Sequence, residues 1–375
     1  MGKTDMFWAM ATNNKSSPHE SELPAAICRC LHEMGHRAAV VQDGEPAGLE
    51  ADVLVLMVTL GDFPFYRRQL KRRSSGKPST VLWQTDPLPP HDLSPEAESL
   101  GLKAVRWREI FKLHQPASPK WKKYLTGYRF RMWGYKWLAA GHYRAFCKKM
   151  KPLHQEDFPW QDISGVMENW RDILIGRKEG WLDHVVASTN QRRTFLVSRG
   201  IPAHFVPVGA DESMGTNLGV SRDIPLGFLG STDRKNRRTR TLEKLRKKLR
   251  ERNLPDIVAQ TACYGDQRCR WLNRVRILIN LYNYPWHAAW IRFLMAARCG
   301  TLVVSEATDD EHPLIPGVHY VSAPWEQMCD VVAELLKHPE QIDSVTAAAE
   351  KLVREKLTLL NSVKELHKIV GSQGQ

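Results

Sequence analysis

The run RILINLYNYPWHAAWIRFLMAARCGTLVVSEATDDEHPLIPGVHYV, Arg276 to Val321, leaves a chain few folds to choose from. Ile277 to Leu281 is an apolar run of strand length, and Ala288 to Arg298 has the length and composition of a packed helix. Gly300 stands where that helix needs a left-handed residue to end, and Thr301 to Ser305 supplies a second buried strand. Two buried strands joined through a helix predict an open parallel α/β sheet, whose strand ends line the crevice where ligands bind.

How many such sheets the chain holds is a matter of length. With 375 residues it has room for two domains, each burying its own core. A hydrophobic content of 42% and a charged content of 25% exclude a disordered chain. The formal charge of +13 favours anionic partners: nucleoside diphosphates, acidic polymers, nucleic acid or an anionic membrane face. The 7 cysteines are an odd set without a disulfide framework. Cys28 and Cys30 read as two helix thiols with no second pair at zinc spacing, so no metal site is expected. The N-terminus lacks a signal-peptide pattern, and no run approaches the roughly 20 apolar residues of a membrane helix. The expected location is therefore cytoplasmic, with a peripheral position at the inner membrane face open to so basic a protein.

In chain order, Met6 to Ala11 predicts a first strand and Thr12 to Pro18 a polar loop, followed by His19. Glu20 to Met34 predicts a helix with Leu23, Ile27, Leu31 and Met34 on one stripe, ended by Gly35 before a strand to Val41. Asp52 to Leu60 is continuously apolar, as a strand covered on both faces must be. Thr80 to Gln84 runs into Asp86 and the prolines 87, 89 and 90, which forbid a helix and leave Asp86 at the crevice. Between Trp107 and Trp170 aromatic residues alternate with Lys and Arg. The expectation is a helical, aromatic-rich insertion with rings packed and cations in water, shaping an acceptor pocket as a group. Asp183 to Ser188, a helix over Thr189 to Arg199, Ala203 to Val208 and Gly209-Ala210-Asp211 complete the first unit, with Glu212 to Arg222 as linker.

The second unit opens on Ile224 to Leu229, which delivers Gly230-Ser231 and then Arg234, Lys235, Arg237 and Arg238. Small residues at a strand end, free amides and a basic helix start suit a diphosphate, so Gly230, Ser231, Arg234, Arg237 and Arg238 are candidate phosphate ligands. Leu242, Leu245 and Leu249 form the buried stripe of the helix that follows. Asn280, His287 and Arg292 fall near the next strand ends, and Arg292 is a further candidate for phosphate. Glu306 ends a strand and Asp310 sits in an acidic loop, where either can bind ribose hydroxyls or act as a base. Trp325 to Lys337, Pro339 to Leu357 and Leu360 to Val370 read as amphipathic helices, the last packing back across the junction.

The order strand ending in Asn, Arg-Phe on a helix, Ala-Ala-x-Cys-Gly, strand, Ser-Glu, acidic loop and Pro-Gly-x-His-Tyr-Val resembles the donor half of GT-B glycosyltransferases, nearest to the spore-maturation-protein-like, group 4-like branch of glycosyltransferase family 1. The Val-Gly-Ala-Asp of residues 208–211 is similar to the closure of the first GT-B domain. The resemblance implies two Rossmann-like domains facing across a cleft: an acceptor-side domain over 1–211 with its insertion at about 107–170, a nucleotide-sugar domain over 223–359, and a helix and tail over 360–375. It implies a metal-independent, cofactor-free transfer of a sugar from a nucleotide-diphosphate donor to a hydroxyl of a glycan, lipid or protein. The base of an inverting reaction would be Asp86 or His19. The sequence departs from the family where retaining members carry two Glu residues: those places hold Met295 and His287. Hence three other classes stand beside the enzyme. One is an inactive GT-B-like module binding sugar nucleotide or a polyanion. Another is a nucleic-acid-binding protein, which ranks lower because no helix-turn-helix, zinc finger or RNA-recognition motif is present. The third is a sugar-nucleotide epimerase.

Overall fold

The computed structural model describes residues 5–13, 22–57, 60–73, 78–113, 134, 137–149, 160–233, 236–284, 286–288, 290–308 and 312–372. Two parallel sheets organise it. The first runs β1 (Phe7–Thr12), β2 (Arg37–Gln42), β3 (Val53–Met57), β4 (Ser79–Gln84), β5 (His184–Ala187) and β6 (His204–Phe205), in spatial order β2-β1-β3-β4-β5-β6. Every residue of β3 is buried, which a central parallel strand requires because both of its faces are covered. The period-two alternation then sorts the side chains. Leu54 and Leu56 join Ala9, Ala11 and Leu82 in one core, while Val53 and Val55 join Trp8, Met10, Val81 and Trp83 in the other.

The first of these cores is closed by α3 (Pro64–Leu70), α4 (Pro95–Leu113), a helix α5 over 137–149 and α6 (Trp160–Lys178). Tyr143, Phe146 and Trp170, three of the rings in the expected insertion, are buried in it, whereas Trp137 is exposed. Trp121, Tyr124, Tyr128, Phe130, Trp133 and Tyr135 lie outside the described residues. The other face is covered by α1 (Glu22–Glu33) through Ala26, Ile27 and Leu31, and by the last helix of the chain, through Leu359, Val363 and Leu366. Between β5 and β6 lies a short helix, Asn190–Ser198, whose N-cap Thr189 accepts a hydrogen bond from the Arg192 amide. The predicted strand over Ala203 to Val208 shrinks to the two-residue edge strand β6, since only Val186 and Ala187 offer it partners.

The second sheet holds β7 (Ile224–Leu229), β8 (Val258–Gln260), β9 (Val275–Asn280), β10 (Leu302–Ser305) and β11 (Val321–Ser322), in order β11-β10-β9-β7-β8. Numbering the helices through the whole chain, the short helix at Ala47–Glu50 is α2 and Asn190–Ser198 is α7. They are followed by α8 (Arg237–Glu251), α9 (Gly265–Arg274), α10 (Ile291–Arg298), α11 (Met328–Lys337), α12 (Pro339–Glu355) and α13 (Leu359–Gly371). Leu242, Leu245 and Leu249 of α8 are buried as their spacing requires. In each sheet the first strand lies between the second and third, so each has a switch point at the carboxyl end of its first strand.

The chain crosses between the domains twice, and the crossings lie side by side. The Ala210 amide donates to Leu357 O at 2.8 Å and the Leu359 amide to Ala210 O at 2.8 Å, closing a parallel bridge between Ala210 and Thr358. A Cβ on Gly209 would stand 2.2 Å from the Thr358 carbonyl carbon and oxygen, so only glycine lets the crossings approach this closely. Helix α13 then continues onto the first domain, as the sequence led one to expect of the tail.

Candidate active site

A cavity of about 840 Å³ opens at the carboxyl end of β7, between the domains. Its floor is the turn from Gly230 to Asp233, and Arg292 and Met295 from α10 form one wall. Glu22 and Leu23, at the start of α1, reach it from the first domain. Gly230 has a φ of 146°, in the region that disfavours side chains, and a Cβ there would come within 3.4 Å of the Arg238 guanidinium carbon. The backbone conformation is what calls for glycine, and Arg238 folds across the turn, where its Nη2 donates to Ser231 O at 3.3 Å and its guanidinium lies 5.7 Å from the centre of the Phe228 ring.

Arg292 sits in the first turn of α10 with 9% of its surface exposed. Its Nη2 donates a long bond to Leu281 O at 3.4 Å, and its buried Nη1 has no partner among the described residues; the same holds for Nε of Arg238. Burial, with Arg238 nearby, pulls the Arg292 guanidinium down to about 9 against the opposing pull of Tyr282 and Glu306. Burial lowers Arg238 too. Two cations pressed together with unspent N–H groups beside a cavity form a site prepared for an anion.

Arg237 and Glu306 depart from the expectation. The helical turn sends Arg237 away from Arg238, and its guanidinium meets Glu306 in a buried two-pronged ion pair at 2.8 and 3.0 Å, with a third bond to Tyr282 O at 2.9 Å. The Tyr282 amide closes the ring on Glu306 at 2.7 Å. Arg237 is therefore not presented to phosphate, nor Glu306 to ribose or to a reacting hydroxyl: together they tie the end of β10 to the loop after β9. Asn280 is likewise wholly buried, donating to Ser305 Oγ at 2.9 Å, and so belongs to the scaffold rather than to the cavity wall. Ser231 is exposed at the turn, as its candidacy requires. His19, Arg234 and Asp310 lie outside the described residues.

His287 precedes α10, because the predicted helix over Ala288 to Arg298 begins only at Ile291, after Trp290 in the cap position. It lines a second, smaller cavity of about 270 Å³ between the domains, together with Thr85, Ser188, Arg192 and Trp290. Trp286 secures this loop to the first domain by donating to Leu88 O at 2.8 Å. Asp86 is half-buried and follows Thr85; its main-chain carbonyl accepts from Gln84 Nε2 and from Arg192 Nε, both at 3.0 Å.

Three residues of this region escaped the sequence reading. Arg192 is 2% exposed, and a signal was available: Gln191, Arg192, Phe195 and Leu196 form the buried stripe of α7, so this arginine occupies a core position. Glu22 and Arg268 form an ion pair across the cleft at 2.8 Å, with Glu22 also accepting from the Gly265 amide at 3.1 Å. Arg268, 4% exposed in its side chain, is one of a dense run of basic residues, and no spacing rule marks it out. Among the described residues no group of three or more His, Cys, Asp or Glu side chains is placed to hold a metal ion, and no helix is long and apolar enough to cross a membrane.

Comparison with known proteins follows the same division of the chain. Residues 236–368 match a family model described as glycosyl transferase-like. No curated protein matches the chain by sequence. Among solved structures, it is similar to the sucrose-phosphate synthase of Thermosynechococcus elongatus, with a TM-score of 0.57 at 9% identity over 98% of this chain and 99% of that one. An alpha-glucosyltransferase solved with UDP and a 13-mer DNA containing an HMU base aligns with a TM-score of 0.55 at 10% identity, over 98% and 100%. Anabaena HepE in complex with UDP-glucose gives 0.51 at 10%, again over 98% and 100%. At such identities the likeness is one of fold: the chain has the two-domain GT-B architecture, and its second half is glycosyltransferase-like. The matched model is not specific to the spore-maturation-protein-like branch.

Proposed function

We propose that the protein transfers a sugar from a nucleoside-diphosphate sugar to an acceptor hydroxyl, binding the donor diphosphate between the Gly230-Ser231 turn and the guanidinium groups of Arg238 and Arg292. The observation that carries this reading is a pair of arginines, Arg292 buried and Arg238 half-buried, each with a buried guanidinium nitrogen that has no partner among the described residues, beside a cavity of about 840 Å³. The family match over the same half of the chain supports it, as do structural neighbours described with UDP or UDP-glucose. The two guanidinium groups and the amides of the turn would stabilise the negative charge of the departing diphosphate, so the scheme needs no metal and no cofactor. The acceptor would enter from the first domain, where Asp86, next to Thr85 of the smaller cavity, is the candidate base of an inverting reaction. Peripheral contact with an anionic membrane remains part of this reading on charge alone.

Met295 favours a second reading. It lines the cavity in the place where retaining relatives are expected to carry Glu, and a thioether cannot accept the hydroxyl hydrogen bonds of a ribose as a carboxylate does. A module that binds sugar nucleotides without turning them over fits that substitution. Calorimetric titration with a panel of nucleoside diphosphates and their sugars, followed by release of nucleoside diphosphate in the presence and absence of EDTA, separates the two. Binding with EDTA-resistant release supports transfer, binding without release supports the module, and no binding by any member of the panel removes both.

A further inference from the structure

We propose that Arg192 is a positioning residue: it reaches across the domain cleft and holds His287 as a neutral imidazole whose Nε2–H is offered to a sugar hydroxyl in the smaller interdomain cavity. The proposal rests on the nucleotide-sugar reading for the identity of the ligand, but the state of His287 follows from geometry alone.

Arg192 is fastened before it meets the histidine. Its amide caps α7 on Thr189 Oγ1, its Nε donates to Asp86 O at 3.0 Å and its Nη1 to Ser188 Oγ at 2.6 Å. Its Nη2 is directed at the second domain, where it stands 2.5 Å from His287 Nδ1 and 3.4 Å from Nε2. A guanidinium has donors and no acceptor, so the ring nitrogen at 2.5 Å must present a lone pair. A neutral ring with a bare Nδ1 carries its proton on Nε2. With Nδ1 occupied, the imidazole is a hydrogen-bond donor rather than a base.

The charges around the ring point the same way. Burial is the largest of the causes that oppose a positive imidazole, followed by Arg192 from α7 and Arg292 from α10; the three together hold its pKa well below the usual histidine range. Tyr284 of the same loop meets the ring edge-on at 6.3 Å, and Asp86, on the loop after β4, engages Arg192 through its main-chain carbonyl. The cavity beside this pair has a mostly apolar wall of Leu23, Val208, Trp290 and Ile291, on which the C–H face of a sugar can rest, and its polar groups are Thr85, Ser188, Arg192 and His287. Since Arg192 and His287 belong to different domains, the donor group is set only when the domains are together. An arginine from the acceptor half thereby governs how the donor half presents itself to a sugar.

Nitrogen NMR of protein labelled at histidine, with His287→Gln to assign the ring, reads this directly. In wild type the His287 ring is expected to stay neutral, as the Nε2–H tautomer, well below the ordinary histidine midpoint of about 6.5, while Arg192→Gln should move its midpoint up towards that value. A wild-type ring that titrates near 6.5, or one that carries its proton on Nδ1, overturns the proposal without reliance on any variant. For the ligand, calorimetry with UDP and UDP-glucose as probes should show Arg192→Gln weakening UDP-glucose about ten-fold, roughly 1.4 kcal/mol, and leaving UDP within two-fold. Equal losses for both probes overturn the sugar-facing role. If wild type binds neither probe, the nucleotide-sugar reading fails together with the sugar-facing role, and the titration alone decides whether Arg192 holds the ring.

Discussion

Replacing Arg292 by methionine should move the stability of the free protein and its response to ligand in opposite directions. In the free protein Arg292 donates one long hydrogen bond, at 3.4 Å, and its buried Nη1 has no partner among the described residues. Burial, with Arg238 nearby, pulls its pKa down to about 9, which corresponds to a penalty on the order of a few kcal/mol on holding the cation in the folded state. The folded-state value lies below the unfolded one, so the penalty is full below about pH 9, where both states are protonated. It fades as the pH rises above about 9, where the unfolded chain still binds the proton that the folded chain has lost. Methionine fills a similar space without charge, at a repacking cost of about 1.5 kcal/mol or less. Arg292→Met should therefore stabilise the free protein at pH 7 by about 1 to 3 kcal/mol, seen as a higher urea midpoint at unchanged slope. With UDP as the probe at about 100 times its dissociation constant, wild type should gain about 2.7 kcal/mol and the variant almost nothing. A variant that is less stable without ligand by more than about 1 kcal/mol, and that keeps the UDP gain, refutes the argument that Arg292 is held in readiness for an anion.

Other perturbations separate scaffold from site. Arg237→Met should destabilise the protein by about 3 to 5 kcal/mol, because it strands the buried Glu306 carboxylate, and urea denaturation of Arg237→Met/Glu306→Leu should recover most of that loss. Gly209→Ala places a methyl 2.2 Å from the Thr358 carbonyl and should cost about 1 to 3 kcal/mol, with faster proteolytic cutting near residues 209–211 and 357–359 as the readout. Glu22→Gln removes the charge that pairs with Arg268 across the cleft; a larger radius of gyration by small-angle scattering without ligand is expected, and an unchanged profile would show that this pair does not hold the domains together.

The parallel sheets were legible because burial on both faces leaves an unmistakable record: Val53 to Met57 is apolar without interruption, and Ile224 to Leu229 coincides with β7. The turn at Gly230-Ser231 was legible for a related reason, since Gly-Ser at a strand end has no purpose in a core. Adjacent arginines were another matter. Arg237 and Arg238 look alike in sequence, yet neighbouring residues on a helix point about 100° apart, which sends one into an ion pair and the other towards the cavity. Glu306 carried the same ambiguity, because a carboxylate at a strand end reads as a ligand until a buried cation of matching geometry is found beside it. His287 was placed near the crevice, but its partner was 95 residues away in the other domain, and no local pattern reaches that far.

Helix α13 ends the chain in the domain where it began, and the bridge between Ala210 and Thr358 brings the two crossings into contact. In topological terms the second domain is a cassette spliced into the first through a single narrow doorway. Such a cassette can be lifted out by joining the doorposts, or exchanged for another of the same layout, without rethreading the host. A host made by linking residue 209 directly to residue 359 would keep α1, α13 and both faces of the first sheet, which makes the first domain accessible to study by itself.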